Sequence, residues 1–237
     1  GWHMECSAMS EKYLGKTFDI HGGGMDLVFP HHEAEIAQSN ACNTCNPVNY
    51  WMHNNMITVD GKKMGKSLGN FITLEDFFTG NHSKLEASYS PMTIRFFILQ
   101  AHYRSPIDFS NDALQAAEKG FEKLMNATET LNELTPSKNS SYDVNTLEKN
   151  CYRAMNDDFN TPVLIAHLFD AVKIINSIKT GKENLSSADL KKLKSIFNVF
   201  VTNILGLVSI SKKNKSNLTN EVMDLILKLR GNAKSAK

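Results

Sequence analysis

The sequence predicts an α/β unit at the front and an all-α unit behind it, a fold of class α/β plus all-α. Two observations carry this. The first third is rich in glycine, histidine and aromatics and alternates short apolar runs with a helical stretch, whereas from about residue 91 the pattern is glycine-poor and helical. Polar, turn-rich strings then divide that rear part into helix-length pieces.

Residues 17–21 form a short apolar segment that stops at three glycines, as a strand feeding a loop would. Pro30 suits a first helical turn, where its missing N–H costs nothing, and residues 31–41 follow as a helix. Residues 50–59 (YWMHNNMITV) are aromatic and β-branched enough for a second strand, ended by Asp60-Gly61. Strand, helix and strand make a unit whose crossover is long enough for parallel pairing. Further helices are expected at residues 91–101 and 111–134, the second with Leu114, Ala117, Phe121 and Leu124 on one stripe. Residues 135–143 (TPSKNSSYD) break the pattern. Helices resume at 144–156, 162–177 and 188–207, a basic linker covers 209–216, and another helix starts at 221–230. The rear two thirds therefore have the pattern of a helical bundle.

The chain has 237 residues, 41% hydrophobic and 22% charged, so disorder and coiled coil are not indicated. Its net charge of +1 gives no global basic field, and any nucleic-acid contact must come from local patches. No apolar run approaches the roughly 20 residues needed to span a bilayer. The N-terminus shows neither a basic leader nor an apolar core of a signal peptide, and the immediate entry into motif-like sequence suggests a fragment or processed product. Cys6, Cys42, Cys45 and Cys151 do not suggest a disulfide scaffold and fit a reducing, cytoplasmic setting.

Three strings invite chemistry. In HGGGMDLVFPHHEAE, His31 and Glu35 lie four apart on one helix face, and His32 with Glu35 is nearly as good. With Cys6 they could hold zinc, but spacing alone favours a solvated polar pair. Gly22, Gly23 and Gly24 would let a ligand approach the backbone and Asp26 could accept from ribose hydroxyls, yet a lone triglycine is more often only a turn. In GKKMGKSLGNF, three lysines in a glycine-containing loop could hold a polyphosphate, and a solvated basic turn is the plainer alternative. Cys42 and Cys45 form a single CxxC without a second half. Arg104, in the string His102-Tyr103-Arg104, suits a capping or interdomain ion pair better than a nucleic-acid phosphate.

Taken in order, GWHMECSAM, FDIHGGGMDLVFPHHEAEIAQS, YWMHN, GKKMGKSLGNF, FFILQAHYRSPIDFS and MNDDFNTP make the chain resemble the cysteinyl-tRNA synthetases, class I aminoacyl-tRNA synthetases, over nearly its whole length. The resemblance implies a partial Rossmann-type catalytic domain (1–80), a stem-contact segment (81–110), a helical tRNA-binding bundle (111–210) and the start of a small C-terminal region (211–237). It implies Cys6, His31 and Glu35 as zinc ligands, with His32 and Glu33 as neighbours. The family's fourth ligand, a cysteine near a His-Ile-Gly-His motif, would lie upstream.

By the same resemblance Gly22, Gly23, Gly24 and Asp26 line the adenosine site, and Trp2 and His21 help form the cysteine pocket. Lys63 to Ser67 matches the mobile Lys-Met-Ser-Lys-Ser loop. There Lys66 contacts ATP phosphates, Lys63 and Lys66 are catalytic, and Gly65 stands where the family has serine. His53 lies in a family-like string without a role attached. The implied activity is ATP-dependent activation of cysteine and its transfer to tRNA(Cys), with ATP arriving with Mg2+. The fragment alone is expected to be inactive. Two alternatives are a related ligase that passes cysteine to a small amino sugar and a non-catalytic zinc- or RNA-binding module.

Overall fold

The chain enters through helix α1 (His3–Leu14), crosses into strand β1 (Phe18–Gly24), and turns through Met25–Leu27 and Val28–His32 into helix α2 (Glu33–Asn43). Strand β2 (Val48–Asn54) then pairs parallel to β1, with Ile20 opposite Tyr50 and Gly23 opposite His53. This is the expected parallel unit with a helical crossover. The structure is a computed structural model and describes residues 1–209. The expected helix at 221–230 and most of the basic linker lie outside the described residues.

The entry to α2 differs from expectation. Phe29 is extended (φ −131°, ψ 133°) inside the wide turn Val28–His32 that leads into the helix, and the Phe29–Pro30 peptide is cis. The continuous strand expected at 50–59 is also two strands in two sheets. Asn55 breaks it: its N–H donates to the Tyr103 carbonyl at 2.9 Å and its Nδ2 to the Arg104 carbonyl at 2.9 Å. Its Oδ1 accepts from the Met56 N–H. Strand β3 (Ile57–Val59) therefore leaves β2 and joins a second sheet. There it runs antiparallel to β4 (Lys62–Lys63) and parallel to β5 (Ile107–Phe109).

Behind this sheet, α3 (Leu74–Thr79) begins with a reciprocal cap between Thr73 and Asp76. Helix α4 (Pro91–Leu99) starts on a Ser90 cap with proline in its first turn. The bundle comprises α5 (Asn111–Glu133), α6 (Val144–Asn156), α7 (Thr161–Lys179) and α8 (Ser187–Phe197), which continues as a wide helical turn over Asn198–Ile204. Each starts where a side-chain oxygen takes the first free N–H groups: Ser110, Asp143, Asn160 and Ser186. Helix α7 is long and apolar enough to cross a membrane by length and composition. Its Leu164, Leu168, Ala171 and Ile175 are instead packed into the bundle.

One core runs from Val59 through Phe77, Phe96 and Phe121 to Leu207, and residues Gly1–Leu207 form one compact unit. Arg95 of α4 reaches across 110 positions to donate Nε–H to the Leu205 carbonyl at 2.6 Å. Its guanidinium lies against Gly206, where φ is +63° and a Cβ would fall 2.6 Å from an Arg95 nitrogen. Glycine is required there on both counts.

Candidate functional site

Four elements converge at one end of the β1–β2 sheet. Helix α1 supplies Trp2 and Cys6 and is tied to α2 by Ser7 Oγ donating to Gln38 Oε1 at 2.9 Å. Strand β1 supplies His21, the turn Val28–His32 supplies His31 and His32, the first turn of α2 supplies Glu35, and β2 supplies Trp51 and His53. His31, His32 and Glu35 are buried, at 3–5% exposure, whereas Glu33 faces solvent.

The donors face one another. His31 Nε2 lies 2.8 Å from Glu35 Oε1, and His21 Nδ1 lies 3.5 Å from Glu35 Oε2. Ligand atoms of Cys6, His31 and Glu35 all fall within 4.8 Å of one another, as do those of His21, His32 and Glu35. Trp2 stacks on His31 with ring centroids 3.6 Å apart. His32 Nδ1 lies 2.8 Å from His53 Nε2, and Trp51 packs on both His21 and His32.

The electrostatics of the cluster suit a cation. His21 Nδ1, His31 Nδ1 and Glu35 Oε1 are buried without an aligned hydrogen-bond partner, a costly arrangement unless something else satisfies them. Burial raises the Glu35 carboxyl to about 6. Burial, reinforced by His21, His53 and His31, lowers His32 to about 4, and burial first of all lowers His21 as well. Burial and then Glu35 and Glu5 raise the Cys6 thiol. Imidazoles beside a thiol and a carboxyl are a donor set that fits a borderline-soft divalent metal.

The structure thus brings together Trp2, Cys6, His21, His31 and Glu35. It treats the glycines differently from a bare ligand cradle. A Cβ at Gly23 would meet His32 Cε1 at 2.6 Å, and one at Gly24 would collide with the Asp26 carboxylate. Two of the three glycines therefore make room for the protein's own side chains. Gly22 meets only the Met52 carbonyl, at 3.8 Å, and Asp26 is exposed.

Lys63 and Lys66 lie apart from this sheet, in β4 and the short turn Lys66–Leu68, both exposed. Lys66 Nζ sits 5.5 Å above the Phe71 ring. Gly65 is extended (φ −165°, ψ 144°), so its backbone does not demand glycine. Cys42 and Cys45 are free, and Cys45 contacts Thr17. Arg104 forms the expected kind of ion pair, with Asp158 at 2.6 Å, where Tyr103 Oη also donates to the same carboxylate.

Sequence reasoning overlooked Trp51 and missed any role for His53. They alternate along β2 and so share a face, but which face meets the histidines follows from the β1–β2 register.

The parallel βαβ unit with its metal-capable cluster and the separate lysine loop belong to the α/β part of the chain, ahead of the helical bundle. Residues 1–119 match the family model for the tRNA synthetases class I (C) catalytic domain, and the chain belongs to that family. Residues 150–209 match the DALR domain. Among the relatives are cysteine–tRNA ligases. Those of Bacteroides fragilis and Porphyromonas gingivalis are 58% and 55% identical over 239 residues, covering 100% of this chain and 49% of each relative. That of Chlorobaculum tepidum is 46% identical over 244 residues, covering 100% and 48%. The chain thus spans about half the length of the curated relatives it matches. A solved ternary complex of the Agrobacterium radiobacter K84 agnB2 LeuRS with tRNA and LeuAMS shares the fold. Its TM-score is 0.56 at 16% identity, over 77% of this chain and 26% of that one.

Proposed function

We propose that this chain is part of a cysteine–tRNA ligase that activates cysteine with ATP and transfers it to the 3′ end of tRNA(Cys) in the cytoplasm. The observation that carries this is the convergence of half-buried Cys6 with buried His31 and Glu35 within 4.8 Å, Trp2 stacking on His31, in a chain 58% identical throughout to such a ligase. That identity favours tRNA over a small amino sugar as acceptor, and a catalytic parent over a non-catalytic module.

In this reading Cys6, His31 and Glu35 hold zinc, which when bound supplies a soft coordination site for the substrate thiolate. Discrimination needs such a site. An apolar pocket separates near-isosteric substrates only by about 10- to 200-fold, and a serine hydroxyl is both a poorer zinc ligand and far harder to deprotonate than a cysteine thiol. Trp2 and His21 wall the cysteine pocket: Trp2 fixes the His31 ring by stacking, and His21 faces Glu35. Gly22, Gly23, Gly24 and Asp26 form the adenosine side.

The cysteine carboxylate attacks the ATP α-phosphate, pyrophosphate leaves, and a terminal ribose hydroxyl of the tRNA then displaces AMP from the acyl carbon. No protein nucleophile is required, and catalysis is positioning and charge stabilisation. Lys63 and Lys66 neutralise charge on the departing pyrophosphate, whose Mg2+ arrives with ATP. The domain assignment follows: catalytic residues 1–80, stem-contact residues 81–110, tRNA-binding bundle 111–210 and a C-terminal region from 211.

Cobalt substitution of the full-length protein tests the metal assignment. Adding cysteine is expected to produce a thiolate-to-cobalt charge-transfer band that serine does not. A spectrum indifferent to cysteine would refute it.

A further inference from the structure

Among the described residues, Asn70 is one of five buried polar or charged side chains, at 7% exposure. The others are accounted for: His31, His32 and Glu35 form the metal-capable cluster, and Thr93 bonds to the Ser90 cap of α4. Asn70 sits in the lysine loop. Its Oδ1 accepts from the Gly65 N–H at 3.0 Å and its Nδ2 donates to the Lys63 carbonyl at 3.0 Å.

Those two backbone groups are not an arbitrary pair. In extended chain, the carbonyl of one residue and the N–H of the next but one lie on the same edge. Gly65 is extended, and the intervening Met64 turns its own N–H the other way, to the Ile57 carbonyl of β3 at 3.4 Å. The Asn70 carboxamide, one donor beside one acceptor, therefore pairs with the free edge of residues 63–65 as a neighbouring strand would. Gly69, left-handed at φ +66°, turns the chain back so that Asn70 can reach.

The root of the loop is held separately. Asp108 Oδ1 accepts from Thr58 Oγ1 at 2.6 Å and from the Gly61 N–H at 2.8 Å, and Lys84 pairs with Asp60 at 2.7 Å. Beyond that root, Asn70 is the side chain that fixes the backbone of Lys63 and of Gly65, the residue from which Lys66 departs. The Lys63 and Lys66 side chains stay exposed and available to a ligand.

We propose that Asn70 is a positioning residue. By holding the Lys63 carbonyl and the Gly65 N–H together, it sets the directions in which Lys63 and Lys66 meet the pyrophosphate portion of ATP. This rests on the assignment of the lysine loop to ATP given above.

The test is a double-mutant cycle of Asn70→Ala and Lys66→Ala in the full-length protein, read by cysteine-dependent ATP–pyrophosphate exchange. Asn70→Ala alone is expected to lower kcat by about 10- to 100-fold, the scale on which misplaced catalytic groups act. KM for cysteine should stay within about twofold, since uniform binding at the metal end is untouched. In the Lys66→Ala background the same change should cost less than about threefold, because the groups act as one unit. Asn70→Ser is carried through the same cycle, so that the result stands if Asn70→Ala melts early. Exchange undiminished by Lys66→Ala would refute the assignment of the loop to ATP. If Lys66→Ala impairs exchange but the Asn70 variants do not, or if their effects multiply in full, the Asn70 inference alone is overturned.

Discussion

Replacing Gly23 with alanine separates two accounts of the triglycine run. If the glycines serve only to admit adenosine, Gly23→Ala weakens ATP binding and leaves the folded protein alone. The packing predicts otherwise. The new methyl would stand 2.6 Å from His32 Cε1, 3.1 Å from His32 Nε2 and 3.1 Å from Leu27 Cδ1. His32 is 3% exposed and enclosed by His21, Trp51 and His53, so it cannot swing into solvent. Forcing one methyl into a filled site costs roughly 1–3 kcal/mol. Displacing His32 also strains its 2.8 Å bond to His53, worth about 1 kcal/mol.

The expected loss is therefore about 2–4 kcal/mol, a fall of about 1–2 M in the urea midpoint for ordinary m-values. It should appear without ATP, with a weakened metal affinity by chelator competition, because His31 and Glu35 share the same turn and helix. Gly22→Ala is the control, since its methyl would meet only the Met52 carbonyl at 3.8 Å and should leave the unfolding free energy within about 0.5 kcal/mol of the parent. A Gly23→Ala protein that melts and binds metal like the parent would refute the reasoning.

Other outcomes follow from the same contacts. Gly65→Ser should be tolerated and raise the unfolding free energy slightly, by about 0.4–1 kcal/mol in a denaturant titration, because Gly65 is extended and a Cβ there meets Leu68 at an ordinary 3.7 Å. In metal-free protein, His32 (to about 4) and His21 are depressed, so they contribute stability that is lost as pH falls from about 6.5 through 4. Glu35, raised to about 6, works in the opposite direction, its contribution being lost as pH rises through 6. Denaturant titrations at pH 4 to 7 with chelator should therefore show acid destabilisation that Glu35→Gln steepens; a flatter profile would contradict the assignment. Iodoacetamide at pH 8 should label exposed Cys42 first and leave Cys151 unmodified until unfolding, since burial pushes its thiol up to about 12. Peptide mapping by mass spectrometry reads this directly.

The bundle was legible because helical spacing and side-chain caps agree: residues 144–156 match α6, and Ser110, Asp143, Asn160 and Ser186 mark the starts. Helix α1 was not anticipated, because it has no buried residue and so no apolar stripe to read. The break at Asn55 depends on carbonyls of Tyr103 and Arg104, far along the chain, which no local pattern encodes. At the site, the four-residue spacing of His31 and Glu35 showed a shared face but not a metal, since it could not reveal that both are buried. Cys6 could be offered as a third donor from the sequence but not placed beside them, and Trp51 and His53 required the strand register. The triglycine was recognisable as special, yet the space beside Gly23 is taken by His32 and that beside Gly24 by Asp26.

The reach of Arg95 to Leu205 and Gly206 bears on how this molecule can be dissected. Helix α4 precedes the four-helix bundle in sequence, but Phe96 is wholly enclosed beside Phe121 and Phe169. A bundle excised at residue 111 would open that aromatic pocket to water and strip the Leu205 carbonyl of its guanidinium clasp. An excision that starts before Ser90 keeps the helix cap, the aromatic plug and the clasp in one piece. Recombination between relatives should respect the same seam, because α4 and the 205–206 turn must be inherited together.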